Sequence, residues 1–202
     1  MRFKKRKENN GMTLVELVVV LSIFAIMTSV VMFNYKTYEA KVDIKNLASD
    51  IALQIVDAQK SAANGKLNSS AGSGWVPEYG VYFKTATSPT KFAEFADLNS
   101  SDNCSSSNCS NFSVGGEVTN VVSISKGSYI SEVDYYVGAS KNKVTGDFNI
   151  VFKRPSYSAC FTTSGSCISN VDHTEILVYS QLGQGGPSAT IQIYPSGRIQ
   201  IQ

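Results

Sequence analysis

The chain has 202 residues, of which 43% are hydrophobic and 17% charged. That is enough for one ordinary domain with an appendage, with a core that needs no metal to fold, and it excludes disorder and collagen. The charge is unevenly placed: Met1–Gly11 holds five of the 18 Lys+Arg and one of the 16 Asp+Glu, so the remainder is 13 against 15, or formally −2. The net charge of +2 therefore supplies no evidence for a nucleic-acid surface, which needs basic residues clustered on the folded domain. A single His excludes Zn sites built on several histidines.

After the basic leader, Met12–Phe33 reads MTLVELVVVLSIFAIMTSVVMF, with Glu16 as its one ionisable side chain. As a helix of ~1.5 Å per residue it spans ~33 Å, enough for a ~30 Å hydrocarbon core. The basic residues precede it, so the positive-inside rule puts Met1–Gly11 in the cytoplasm and everything beyond Tyr35 outside. A secretory signal peptide fits poorly. Its apolar stretch is shorter and is followed by a small-x-small site, whereas Asn34-Tyr35-Lys36-Thr37 follows here. A carboxylate near the bilayer centre costs ~2.5–3.5 kcal/mol, and less near an interface, and a plain membrane anchor gains nothing by carrying Glu16. An acid in such a segment is a functional-site hypothesis by default.

Gly11-Met12-Thr13-Leu14-Val15-Glu16-Leu17, behind a short basic leader and ahead of about 20 apolar residues, resembles the class III signal of type IV pilins and type II secretion pseudopilins. The resemblance implies cleavage by an aspartic prepilin peptidase between Gly11 and Met12, N-methylation of Met12, and an assembly role for Glu16 as the fifth mature residue. Met12 departs from the Phe that is usual there. Pairing of the new amino terminus with Glu16 of an adjacent subunit is physically reasonable, since a cation within ~4–6 Å favours an ionised carboxylate and such a pair sets axial register.

From Tyr35 to Ala63 there is no Pro or Gly, and Ile44, Leu47, Ile51, Ile55, Ala58 and Ala62 recur at steps of three or four. This is one apolar stripe on an amphipathic helix, with Gly65 as a carboxyl-terminal stop. The pattern predicts one helix over Met12–Ala63, ~78 Å long. Its outer half packs on a globular domain and its inner half stays free. Lys66–Gly74 reads as a loop. The period then changes to two, and strands are expected at Val76–Lys84, Phe92–Leu98, Val118–Ser125, Ser128–Val137, Asp147–Lys153, Thr174–Ser180, Ala189–Tyr194 and Arg198–Gln202. Pro195-Ser196-Gly197 makes a terminal hairpin. The fold class is α+β, with an antiparallel sheet covering the helix stripe. The expected organisation is a leader over 1–11, a helix over 12–64 whose 12–33 part is membrane span and filament core, and a β-rich head over 65–202.

Residues Leu47–Ala52, Asp57-Ala58-Gln59, Tyr79–Phe83, Phe95-Ala96-Asp97 and Ile193–Ile199 resemble the minor H-type pseudopilin and its pilus counterpart. That implies the pilin fold. It also implies other pilin subunits, an assembly ATPase and a platform membrane protein as partners.

Four cysteines lie in the exported part: Cys104 and Cys109, five apart, and Cys160 and Cys167, seven apart. Of three connectivities, local pairing is expected in an oxidising compartment. Free thiols and Zn are the alternatives, and neither spacing is CxxC-like. Asn99–Ser113 reads as a solvated polar loop, stapled by Cys104–Cys109 as a surface excursion. Asp97, Asn99, Asp102 and Asn103 could offer oxygens to Ca²⁺, which some pseudopilins bind, but the EF-hand pattern fails because Asn108 stands where its Glu would be. No cofactor is otherwise expected. His173 reads as a loop residue before a strand, Gly183–Gly186 lacks the Lys-Ser/Thr of a phosphate loop, and Lys141 and Lys143 flank a turn. No catalytic set emerges. Two functions stay open: a structural subunit of a pilus or pseudopilus in the inner membrane, or a single-span extracytoplasmic binding module that does not polymerise.

Overall fold

A computed structural model describes residues 11–72, 75–85, 89–105 and 107–202. The basic leader before Gly11 and the end of the 66–74 loop lie outside the described residues. The chain divides into two units, one ending at Glu39 and one comprising Ala40–Gln202. Helix α1, Leu14–Ala63, contributes to both. The apolar pattern predicts a start at Met12. The helix starts later because Thr13 caps it, its hydroxyl accepting a helix N–H (Oγ1 to Glu16 N, 3.2 Å). The other end closes as the sequence suggests, with Gly65 in the left-handed region (φ 63°) and its N–H on the Ala62 carbonyl.

Among the described residues of the second unit, ten strands form two five-stranded antiparallel sheets. Sheet one contains β1 (Glu78–Lys84), β2 (Lys91–Asp97), β3 (Val118–Ser123), β6 (Asp147–Phe152) and β7 (Ala159–Thr162), in the order β3-β2-β1-β6-β7. Sheet two contains β4 (Tyr129–Val137), β5 (Ser140–Lys143), β8 (His173–Tyr179), β9 (Ser188–Ile193) and β10 (Ile199–Ile201), in the order β10-β9-β8-β4-β5. The architecture is α+β, as the sequence predicts, but with two sheets in place of the one expected.

Strands β5 and β7 lie outside the predicted set. Ser140–Lys143 carries no apolar alternation, and it becomes an edge strand by pairing with β4. Lys141 and Lys143 are thus strand residues. Lys141 Nζ lies 3.0 Å from Asp134 Oδ2, and Lys143 pairs with Glu132. Ala159–Thr162 is four residues long, too short for a period to show, and takes its register from β6.

The α1 stripe supplies Ile44, Ala48, Ile51, Ile55, Ala58 and Ala62 to a core that also holds Val81, Phe83, Ile150 and Phe152 of sheet one and Val133, Ile176, Val178, Ile191 and Ile193 of sheet two. Gln59 anchors the terminal hairpin by donating to the carbonyls of Tyr157 (3.0 Å) and Gly197 (3.3 Å).

Sheet one is buried on its other face as well. Tyr82, Ala93, Phe95, Val118 and Val151 form a second cluster with Cys109, Phe112 and Cys160. Cys109 belongs to a short helix, α2 (Ser107–Asn111), and Phe112 follows it. This corrects the reading of Asn99–Ser113 as a solvated excursion. The loop is polar in composition, but it presents one sulfur and one ring to the sheet, and the Phe112 ring lies 5.5 Å from that of Tyr82.

Candidate functional site

The residues expected for processing and assembly sit at the start of α1. Gly11 and Met12 are exposed and precede the helix. Thr13 is its cap: besides accepting from Glu16 N–H on its hydroxyl, it accepts from Leu17 N–H on its carbonyl at 3.1 Å. Glu16 therefore stands in the first turn, where the helix dipole favours a negative charge. The spacing T-x-x-E, half of a capping box, is the sequence signal for this cap.

Beyond Glu16, Leu17, Val18, Val20, Leu21, Phe24, Met27 and Val31 expose large apolar side chains. Among the described residues, α1 is the one helix long and apolar enough to cross a membrane. Two of its hydroxyls bond within the helix. Ser22 donates to the Val19 carbonyl (2.8 Å) and Thr28 to that of Phe24 (2.7 Å), so neither needs water.

In the head, the cysteines are bonded as Cys104–Cys109 and Cys160–Cys167, with Cα separations of 5.9 and 5.3 Å. The first clamp is held by Glu117, whose carboxylate accepts from Ser105 N–H at 2.7 Å, and by Asn149, whose side-chain oxygen accepts from Cys104 N–H at 3.1 Å.

The residues considered for calcium are brought near one another, with a partner that sequence reasoning missed. Carboxylate oxygens of Glu78, Asp97 and Asp102 lie within 4.8 Å of one another. The register places Glu78 opposite Asp97, a relation no local motif encodes. Asp97 is fully buried and accepts from the N–H groups of Asn99 (3.1 Å), Ser101 (3.2 Å) and Asp102 (2.8 Å). Asp102 is held by Lys153 at 2.7 Å. The Asn99 side chain donates to Ser105 Oγ (2.7 Å) and accepts from Ser101 N–H (3.0 Å), and Asn103 Oδ1 accepts from Ser101 Oγ (2.7 Å). These groups close the loop with their own hydrogen bonds, as an Asx-rich turn does. Burial pushes the Glu78 carboxyl above its ordinary pKa; Lys153 opposes that shift and Asp102 and Asp97 add to it.

The outer face of sheet two carries a cross-strand ladder. Tyr136 and His173 stack with centroids 4.4 Å apart, His173 lies 5.8 Å from Tyr194, and the Arg198 guanidinium sits 4.0 Å over the Tyr194 ring. His173 Nε2 is 3.4 Å from Glu175 Oε1. His173 is the first residue of β8, not a loop residue, and its ring lies between Tyr136 of β4 and Tyr194, which follows β9. Beneath it Glu175 accepts from Gln192 (2.8 Å) and Tyr136 (3.0 Å).

Residues 6–32 match the family described as the prokaryotic N-terminal methylation motif. The chain thus carries that motif, on the residues that resemble the pilin and pseudopilin signal. No curated protein matches the chain, and no solved structure does.

Proposed function

We propose that the protein is a structural subunit of a type IV pilus or a type II secretion pseudopilus. Its chemistry is processing and assembly, not turnover. A prepilin peptidase cuts between Gly11 and Met12, the new Met12 amino group is methylated, and the subunit waits in the inner membrane with its β domain outside. An assembly ATPase and a platform membrane protein then drive its helix into a bundle of other pilin subunits. There Glu16 meets the ammonium of an adjacent copy. The observation that carries this reading is a methylation motif leading straight into a long helix whose apolar side chains are unburied. Such a surface needs a partner, first lipid and then other helices. The H-type minor subunit is the subtype the head residues resemble.

A second reading has one observation in its favour. Glu16 stands in the first turn of α1, where the helix dipole favours its carboxylate without a partner from another subunit, as in a non-polymerising anchor. Glu16→Gln separates the two. In the filament reading the variant still inserts but its incorporation into native filaments falls at least about tenfold, the effect of an acid-cation pair lost from a low-dielectric bundle. Equal incorporation removes the Glu16 pairing, and absence of the wild-type chain from native filaments leaves the tethered module. Mass spectrometry of the native protein is the companion measurement: loss of residues 1–11 and one added methyl on Met12 is expected.

A further inference from the structure

We infer that Tyr35, Lys36 and Tyr38 form the outer interfacial belt of the membrane-resident subunit and that this belt holds Glu16 at the opposite, cytoplasmic headgroup boundary. The inference rests on the reading of α1 as a membrane span. It concerns the depth of the helix in lipid, which that reading leaves open.

Glu16 and Tyr35 are 19 residues apart on one helix, with no charged residue between them. At ~1.5 Å per residue that is ~28 Å, close to the ~30 Å hydrocarbon thickness. A helix with Tyr35 at one boundary therefore has Glu16 at the other. Sliding it outward by two turns would move Glu16 ~11 Å into hydrocarbon and expose apolar surface on the far side.

The side chains at the outer end are of the right chemistry. Tyr35 and Tyr38 are 62% and 68% exposed and stand three residues apart, so their rings share a face. Tyrosine partitions to the headgroup layer, where the ring is in an apolar setting and the hydroxyl is wet. Lys36 borders the shallow recess formed by Phe24, Ala25, Thr28, Ser29 and Met32. Its stem can run along that apolar stripe while its ammonium reaches lipid phosphate. Below the belt the Ser22 and Thr28 hydroxyls are bonded to carbonyls of their own helix, so this stretch presents few unmet polar groups to the tails.

The consequence concerns Glu16. In the membrane-resident subunit its carboxylate is solvated by headgroups and water and needs no counter-ion. The requirement for an ammonium arises when the subunit is lifted out of the bilayer. A belt that fixes the resting depth keeps membrane residence tolerable for a residue that assembly then uses.

The test is depth measurement on the full-length chain in vesicles of zwitterionic and anionic phospholipid. All four native cysteines are in disulfides, so an introduced thiol reports alone. Val15→Cys, beside an intact Glu16, should react with a membrane-impermeant maleimide on the leader side at least about tenfold faster than Ile26→Cys near the bilayer centre, because thiolate formation needs water. Tyr35→Trp and Tyr38→Trp should be quenched by lipids brominated near the headgroup and not by those brominated near the chain end. Adding Tyr35→Ala and Tyr38→Ala to the Val15→Cys chain should slow its labelling several-fold. Labelling of Val15→Cys as slow as that of Ile26→Cys, or deep quenching of the tryptophans, overturns the proposal. So does labelling that ignores loss of both tyrosines. Filament incorporation is a separate readout: a wild-type chain that polymerises while Val15→Cys stays protected loses the depth proposal and keeps the subunit reading. Shallow labelling of a wild-type chain that is absent from native filaments does the reverse.

Discussion

The Thr13 hydroxyl accepts the N–H of Glu16 at 3.2 Å, so the residue proposed for assembly is also part of the first turn of its own helix. Two roles therefore converge on one short segment, and they are separable. The cap is a Thr13 property; the charge is a Glu16 property.

Thr13→Val removes the cap and keeps the carboxylate. Loss of an N-cap is worth about 1 kcal/mol of helix stability. Fraying of the first turn should follow, seen as faster amide exchange at Val15 and Glu16. Filament incorporation should stay within about twofold of wild type. If Thr13→Val polymerises as poorly as Glu16→Gln, order in the first turn of α1 limits assembly as much as the Glu16 charge does.

The second core cluster predicts a large effect from a residue in a polar-looking loop. Phe112 is 8% exposed and faces Tyr82. Phe112→Ala should cost about 3 kcal/mol or more, as for other buried aromatic truncations. A double Cys104→Ser, Cys109→Ser variant should lose about 2 kcal/mol by the chain-entropy account for so short a loop. Urea unfolding of the β-rich head measures both. A Phe112→Ala midpoint equal to wild type would return the loop to solvent.

Gly80 is required by close approach. A methyl group there would lie 2.6 Å from the Ile150 carbonyl oxygen and 2.8 Å from the Phe95 ring. Gly80→Ala should destabilise the head by about 1–3 kcal/mol through overpacking in the middle of sheet one. A companion Phe95→Leu, which withdraws the ring, should recover part of that loss.

Acid titration should separate two kinds of carboxylate. Glu78 and Glu94 are raised above 4.5, first by burial; Lys153 and Lys66 respectively oppose that. A raised carboxyl binds its proton more tightly in the folded state, so its stabilising contribution is full below the unfolded value and is lost as pH rises through the folded one. Glu78→Gln and Glu94→Gln should each raise the unfolding midpoint at pH 7 and lose that advantage as pH falls below about 4.5. Glu175 is opposite in sign. Burial works against its charge, but hydrogen bonds from Gln192 and Tyr136 and the nearby His173 hold its pKa below 4.5. Its stabilising contribution is present above the unfolded value and is lost as pH falls through the folded one. Glu175→Gln should therefore lower the midpoint at pH 7 and have little effect in acid. Midpoints measured from pH 3 to 8 decide each case.

Much of the molecule is legible in local pattern. The α1 stripe, its Gly65 stop and eight of the strands follow from periods of 3.6 and 2 and from turn residues. The methylation motif is legible because leader charge, Gly11, Glu16 and the apolar run are contiguous, and a contiguous pattern needs no fold to bring it together. The T-x-x-E spacing of the cap is local in the same way.

What tertiary structure alone decided has one physical reason: pairing between distant segments sets environment, and environment is not written in composition. β5 is a strand because β4 offers it a ladder, although SKNK has no strand period. The Ser/Asn-rich loop is half buried because the far face of sheet one had no other cover for Phe95 and Val151. Glu78 meets Asp97 through register, and Lys153 reaches Asp102 from 51 residues away. His173 became one rung of an aromatic ladder when three strands aligned. The one-dimensional pattern determined the helix, its proposed lipid-facing half and its charged start; the opposing sheets determined which polar residues of the head lost their water.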